Sequence, residues 1–321
     1  MPHQRALRAL ACAAVLCLTA LAAPAAASAH GRAATVALDY RLPLDPAGRR
    51  LQGIKASILD GDRDLRLVVR PGIRVVVLGD LGEPMLRVDD GVWVNRNSPT
   101  AQANRLVKRP EKGWKRVAGG REFAWHEHRL APPPFEGSRY GPVAHWQVPL
   151  LVNGRPTAVS GSFWRVPRPA AWPWGLGAAA AIAIVALAML RLPRLRLTGT
   201  IGAGILAGLA GLTAQTAFSL RDAPSGHIGW ALIGSGLGVA AIAAWLLAVS
   251  RGTHRAYIAG AIGVGVAAFC LSWLGVFFHG AVVSALPAQA TRLVCAVAFT
   301  AGLISLVGAI WIEPPAEAGA R

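Results

Sequence analysis

From about residue 34 to about residue 168 hydrophobic positions largely alternate with polar ones, and from Trp172 onward they run together in long blocks. Trp172–Leu190 carries no charge. About 20 consecutive apolar residues span a bilayer as a helix, and Trp172 and Trp174 at its start suit the membrane interface. Four further runs follow, near Thr198–Phe218, Ile228–Val249, Tyr257–Phe278 and Leu293–Ile312. The pattern predicts a five-helix transmembrane bundle.

Upstream, the pattern has the period of strands. Ala34–Tyr40, Gly53–Leu59 and Asp64–Arg70 alternate or are β-rich, and Ile73–Gly79 is nearly continuous apolar, as a buried strand is. Glu83–Val88 and Gly91–Asn95 flank Asp89-Asp90-Gly91, a hairpin signal. Trp114–Ala118, Glu122–Leu130, His145–Leu150 and Thr157–Val166 complete the set, with a turn at Asn153-Gly154. Frequent turns without a helical period predict an all-β, immunoglobulin-like sandwich. Pro99–Gly113, polar and basic, reads as a long loop, and Trp93, Trp114, Trp125, Trp146 and Trp164 as core or near-core aromatics. Pro167-Arg168-Pro169 is a short stiff linker.

Residues 1–29 have the form of a secretory signal peptide: Arg5 and Arg8, an apolar stretch from Leu7 to Ala23, Pro24, and Ala27-Ser28-Ala29 as the cleavage site. The expected division is a leader at 1–29, an extracytoplasmic β domain at 30–168, the bundle at 169–312 and a cytoplasmic tail at 313–321. Arg191, Arg194 and Arg196 mark the first connection between spans, and Arg251 and Arg255 the third. The excess of positive charge on cytoplasmic loops puts both connections inside and the β domain outside, as the leader independently requires. The net charge of +17 therefore sets topology or meets anionic lipid, and nucleic acid is not an expected partner. The predicted β domain contains no cysteine, since Cys12 and Cys17 fall in the leader and Cys270 and Cys295 in spans. It must hold together by its core.

No Asp, Glu or Lys lies inside a predicted span. Ion-coupled transport usually needs an ionisable group there, which argues against a transporter acting alone. Thr213, Gln215 and Thr216 form one modest polar cluster. Gly204-x-x-x-Gly208 and Gly234-x-x-x-Gly238 allow close helix contact, within the bundle or in self-association.

The strongest candidate site is Trp125-His126-Glu127-His128-Arg129. On a strand, alternate residues share a face, so His126 and His128 would point together while Trp125, Glu127 and Arg129 point the other way. Two such imidazoles can share copper or zinc. Cleavage after Ala29 would expose His30, whose amine and ring suit Cu(II). The metal set expected is therefore His30, His126 and His128, with His145 as a further ligand. A second set joins Cys270, Cys295, His227 and His279 near the outer ends of the spans. Asp60-Gly61-Asp62-Arg63-Asp64 lacks the order and distal Glu of a calcium loop and reads as a turn. The chain contains no G-x-S-x-G, P-loop or G-x-G-x-x-G, so a non-enzymatic protein is expected.

Gly82-Glu83-Pro84-Met85-Leu86-Arg87, Gly91-Val92-Trp93-Val94-Asn95 with Ser98-Pro99, Trp125-His126-Glu127-His128-Arg129-Leu130 and Trp146-Gln147-Val148-Pro149-Leu150 resemble a group of actinobacterial membrane proteins of unassigned function. The resemblance covers roughly Ala34–Val166. It implies a leader, an extracytoplasmic β domain and a variable membrane part. In that group Asp often replaces Glu127, and an aromatic residue can replace His126. Within these motifs Gly82 and Gly91 suit turns, Pro84 a strand edge, Glu83 and Arg87 a pair across a hairpin, and Asn95 and Asn97 backbone bonds at a strand end. A narrower resemblance, over Ala27–Gly31 and the architecture, is to secreted copper-resistance proteins. Those favour Met-rich sites, and Met85 is the one methionine of the predicted β domain.

Three functions follow as expectations. The first is an envelope protein whose β domain binds a partner or ligand while five spans anchor it in the bilayer. The second is a copper-handling protein. The third is an accessory membrane subunit of a transporter.

Overall fold

The computed structural model describes residues 36–46, 51–59, 61, 64–132, 139–223 and 228–312. The predicted leader, His30, His227 and the tail lie outside the described residues. The described residues form two compact units, one of Leu38–Arg168 and one of residues 169–312 with Val36 and Ala37.

The first unit is built on antiparallel sheets. Its strands are β1 (Tyr40–Arg41), β2 (Ile54–Leu59), β3 (Asp64–Val69), β4 (Val75–Leu78), β5 (Pro84–Val88), β6 (Val92–Asn95), β7 (Trp114–Ala118), β8 (Glu122–His126), β9 (Gly141–Val152) and β10 (Arg155–Arg165). A seven-stranded sheet runs β1-β10-β9-β4-β5-β6-β7, and a three-stranded sheet runs β2-β3-β8. Both contribute to one core. Ile54, Leu65, Leu67 and Trp125 from the small sheet pack with Val75, Val77, Met85, Leu86, Val92, Trp146 and Val148 from the large one. Alternation explains the faces: in β5 and β6, Leu86, Val88, Val92 and Val94 are buried, and Arg87 and Trp93 between them point outward.

Local chemistry sets the connections. Val152 pairs with Arg155 across a two-residue turn in which Asn153 and Gly154 both have positive φ, 50° and 80°. Asn and Gly tolerate that region, and such turns match the twist of a hairpin. Val88 pairs with Val92 around Asp89-Asp90-Gly91. Leu59 at the end of β2 pairs with Asp64 at the start of β3; Asp60, Asp62 and Arg63, part of the turn expected there, lie outside the described residues. Gly161 faces Trp146; a Cβ there would lie 2.7 Å from the indole Cε2, so glycine makes room for a buried tryptophan.

Several expectations change. Residues 99–113 are not all loop, since Pro99–Ala103 forms a short helix, α1. The strand expected to run to Leu130 ends at His126, and a 3-10 turn, His128–Leu130, follows. The continuous apolar run of β4 has only alternate residues buried, because one face of the sheet stays uncovered. Of the five tryptophans, only Trp125 and Trp146 are core residues; Trp93 is half-buried, and Trp114 and Trp164 are exposed. Pro84 opens β5, an interior strand, where its missing N–H is tolerated. Asn95 bonds backbone as expected, donating to the Pro84 carbonyl at 2.8 Å and accepting from Asn97 N–H at 3.1 Å.

The second unit contains five helices long and apolar enough to cross a membrane, as a multi-pass membrane protein has. They are α2 (Trp172–Arg191), α3 (Arg194–Ser219), α4 (Trp230–Val249), α5 (Gly252–Cys270, continued as a 3-10 segment, Leu271–Phe277) and α6 (Ala288–Ile310). α3, α5 and α6 form its centre. In α2 only Met189 is buried, and in α4 no residue is. Small residues let the central backbones approach. A Cβ on Gly204 would meet the Ala259 carbonyl at 2.6 Å, and Cβ atoms on Gly263 and Gly302 would each meet the other's carbonyl, at 2.7 and 2.6 Å. Gly208 sits against Ile262, whereas Gly234 and Gly238 face open space.

Candidate functional site

The Trp125–Arg129 segment builds a buried polar node. Glu127 is 1% exposed. Its Oε1 accepts from Arg129 Nε at 2.8 Å. Its Oε2 accepts from Arg129 Nη2 at 2.8 Å, Trp125 Nε1 at 2.9 Å and Asn104 Nδ2 at 3.2 Å. Burial pushes this carboxyl up, but the bidentate Arg129 pair and the indole bond outweigh it and hold the group below its ordinary value. Arg129 also donates to the Leu78 carbonyl at the end of β4, at 3.0 Å. Strand alternation predicts Trp125, Glu127 and Arg129 on one face; the strand ends at His126, and the three meet instead through the 3-10 turn that follows.

The same node clamps α1. Ser98 caps the helix, accepting from Ala101 N–H at 3.1 Å, with Pro99 next in the chain. Ser98 Oγ donates to Glu83 Oε1 at 2.6 Å. Glu83 does not pair with Arg87 as expected. Gly79 lacks a side chain where the Glu83 carboxylate folds back, so Glu83 turns to α1 and Arg87 pairs with Asp89 at 2.9 Å. Burial pushes Glu83 up, yet the Ser98 and Thr100 bonds hold it below its ordinary value. At the other end Leu106 N–H bonds the Ala101 carbonyl and Arg105 N–H the Gln102 carbonyl, with Arg105 left-handed at φ 59°. This is a Schellman stop made with Arg where glycine is usual. The Ser98-Pro99 pair, a cap followed by proline at the first helical position, was the sequence signal for this helix.

The strand that would have aligned His126 and His128 ends between them. His126 is exposed on the solvent side of β8, opposite Asp64. His128 turns to the rim of the node. Its Nδ1 lies 2.5 Å from Asn104 Oδ1 and its Nε2 2.8 Å from Asp80 Oδ2. Asn104 Oδ1 also accepts the His128 backbone N–H at 3.0 Å while its Nδ2 faces Glu127, which fixes the amide orientation. Both ring nitrogens therefore face oxygen acceptors, and an ion binds this ring only if Asp80 or Asn104 releases it. His145 is exposed on β9. Among the described residues, no three His, Cys, Asp or Glu side chains are grouped to hold a metal. Cys270 and Cys295 share an apolar cluster with Phe218 and Trp273. The His279 carbonyl accepts from Arg292 at 3.0 Å.

A second array, missed in the sequence, covers the outer face of the large sheet. One cross-strand row runs Leu151–Val76–Arg87–Trp93–Arg116 over β9, β4, β5, β6 and β7. The guanidinium of Arg87 lies 5.0 Å from the Trp93 ring centroid and 5.3 Å from that of Trp114; that of Arg116 lies 5.8 Å from Trp93. These are cation–π distances. Trp93 Nε1 donates to Asp90 Oδ1 at 3.2 Å, and Arg116 Nη2 to the Asp90 carbonyl at 2.9 Å. The signal was legible in part: Arg87 and Trp93 occupy the positions between Leu86, Val88, Val92 and Val94, whereas the strand of Trp114 and Arg116 shows no alternation. Comparison with protein-family models, curated proteins and solved structures finds no match to this chain.

Proposed function

We propose that this chain is a non-enzymatic integral membrane protein whose β unit lies outside the membrane as a binding module and whose five spans anchor it. The observation that carries this reading is the Arg87–Trp93–Arg116 row with Trp114 beside it. Those side chains lie on the face opposite the core, so packing does not require them. Trp and Arg are the residues that most often dominate binding surfaces. The arginines at the α2–α3 and α4–α5 connections support a cytoplasmic position for both, and with it a β unit outside the membrane. The two antiparallel sheets about one core support a sandwich of the immunoglobulin-like class, with seven and three strands where the constant-type fold has four and three. The resemblance of its motifs to those of actinobacterial membrane proteins supports a place in that kind of envelope.

The test is a photo-reactive amino acid at residue 114 in intact cells, with residue 145 as a control on a strand toward the other edge of the same sheet. The reading expects an envelope adduct at 114 that the control lacks and that Trp93→Ala weakens. Equal adducts at both positions, or none at 114, would overturn it.

A further inference from the structure

Residues 105–116 lead into and form β7, the edge strand that carries Trp114 and Arg116. They include six basic residues and one acid, Glu111. Glu111 is taken by Arg96, and Arg116 lies against Asp90. Arg105, Lys108, Arg109, Lys112 and Lys115 are exposed. Among the described residues none of these five has an ion-pair partner, although Asp89 and Glu83 nearby are both engaged. The segment is a run of uncompensated charge, and it adjoins the aromatic row.

Trp114 is 37% exposed. One side of its ring is held against Arg87, so the indole lies along the sheet and does not protrude. A side chain that anchors in lipid presents an apolar tip. A ring lying along the surface and bordered by cations instead offers a stacking platform beside anion-binding groups, an arrangement that tracks charged polymers. Sugar rings stack on indoles by their C–H faces, and Lys and Arg bind phosphate and carboxylate. β7 is also the edge opposite β1, so it lies five strands from β10, the strand that continues toward the linker. At about 4.8 Å between strands that is roughly 24 Å.

We propose that the outer face of β5–β7, with the basic segment ahead of it, binds an anionic glycopolymer, a chain of sugar units bearing phosphate or carboxylate groups. This rests on the reading of the β unit as an outward-facing binding module. Phosphates or carboxylates contact Lys108, Arg109 and Lys112, and a sugar unit stacks on the open side of Trp114; Lys115, in register with core-facing Val94, points to the other face.

The experiment uses the full chain in uncharged detergent micelles. The probes are poly(ribitol phosphate) carrying glucose, the same polymer without glucose, neutral dextran, polyglutamate and phosphatidylglycerol vesicles. The expected result is binding to the glucosylated polymer that weakens at least about tenfold between low and physiological salt, as counterion release requires. Arg109→Glu with Lys112→Glu should weaken it about tenfold or more while leaving the thermal midpoint unchanged, since both side chains are exposed. Trp114→Ala should weaken binding to the glucosylated polymer and leave the bare polymer unaffected, a split that general unfolding would not give. Preference for vesicles would overturn the proposal in favour of a lipid surface, and equal binding of polyglutamate would overturn it in favour of an acidic protein. No binding to any probe, with the adduct at residue 114 still formed in cells, would overturn the glycopolymer while leaving the binding module standing. Absence of both would remove the module as well.

Discussion

Glu127→Gln removes the charge at the centre of the buried node and keeps its shape. Three donors converge on Oε2, from Arg129, Trp125 and Asn104, and Arg129 Nε meets Oε1. A glutamine oxygen can serve the first three. Its amide then turns a donor toward Arg129 Nε, and Arg129, whose side chain is 14% exposed, keeps among the described residues Asp80 alone as an ionic partner, at 3.7 Å. Removing one partner from a buried pair costs about 3–5 kcal/mol, and the residual exposure of Arg129 favours the lower figure. Against a domain stability of about 5–15 kcal/mol this is a large share. For a unit of this size it lowers the thermal midpoint by about 10 °C. The assay is thermal unfolding of the purified protein followed by far-UV circular dichroism in the β-sheet region. Glu122→Gln is the control: its pair with Arg66 is half exposed on the acid side, and the loss should stay within about 0.5 kcal/mol. If Glu127→Gln melts within about 3 °C of wild type, the node does not hold this domain and the reasoning fails.

The Glu127 carboxyl is held below its ordinary value, so its contribution is present above the unfolded value of about 4.3 and is lost as pH falls through the lower folded value. The gap in denaturant midpoint between wild type and Glu127→Gln should therefore narrow below about pH 4; a gap that stays constant to pH 3 contradicts an ionised carboxylate. In the bundle, Gly263→Val places atoms where the Gly302 backbone lies and should cost about 1–3 kcal/mol, whereas Gly234→Val meets nothing within 4 Å and should be close to neutral in a detergent melt. Equal effects would show that the α5–α6 contact is wrong. Arg292→Met should destabilise the bundle by at least about 2 kcal/mol, because Arg292 is 4% exposed and donates to the carbonyls of Val276, His279 and Gly280, which are left without it. A melt unchanged from wild type would mean that those carbonyls find other donors.

The hydrophobic pattern located nearly every element, because burial alone decides most of this fold. Val75, Leu86, Val92 and Val148 are fully buried at the places that alternation marks, and the five apolar runs coincide with five helices. The candidate site was less legible. Whether the chain continues extended past His126 depends on Glu127, whose side chain caps the 3-10 turn by accepting from Arg129 N–H. That bond competes with the strand ladder, and periodicity does not register it. Glu83 was misassigned for a related reason: its partner is set by α1, a five-residue helix too short to show a period. The outer-face row was missed because arginine and tryptophan between core positions read as an ordinary solvated face until the strands are placed side by side.

The central claim is a β unit facing outward from a five-span membrane anchor. Lys112→Cys puts one thiol on the exposed basic segment, and Cys270 and Cys295, the free cysteines among the described residues, are buried. A membrane-impermeant maleimide applied to intact cells should label Lys112→Cys at once, while Arg194→Cys, at the α2–α3 connection, should react only after lysis. The reverse pattern would put the binding face in the cytoplasm and contradict the account.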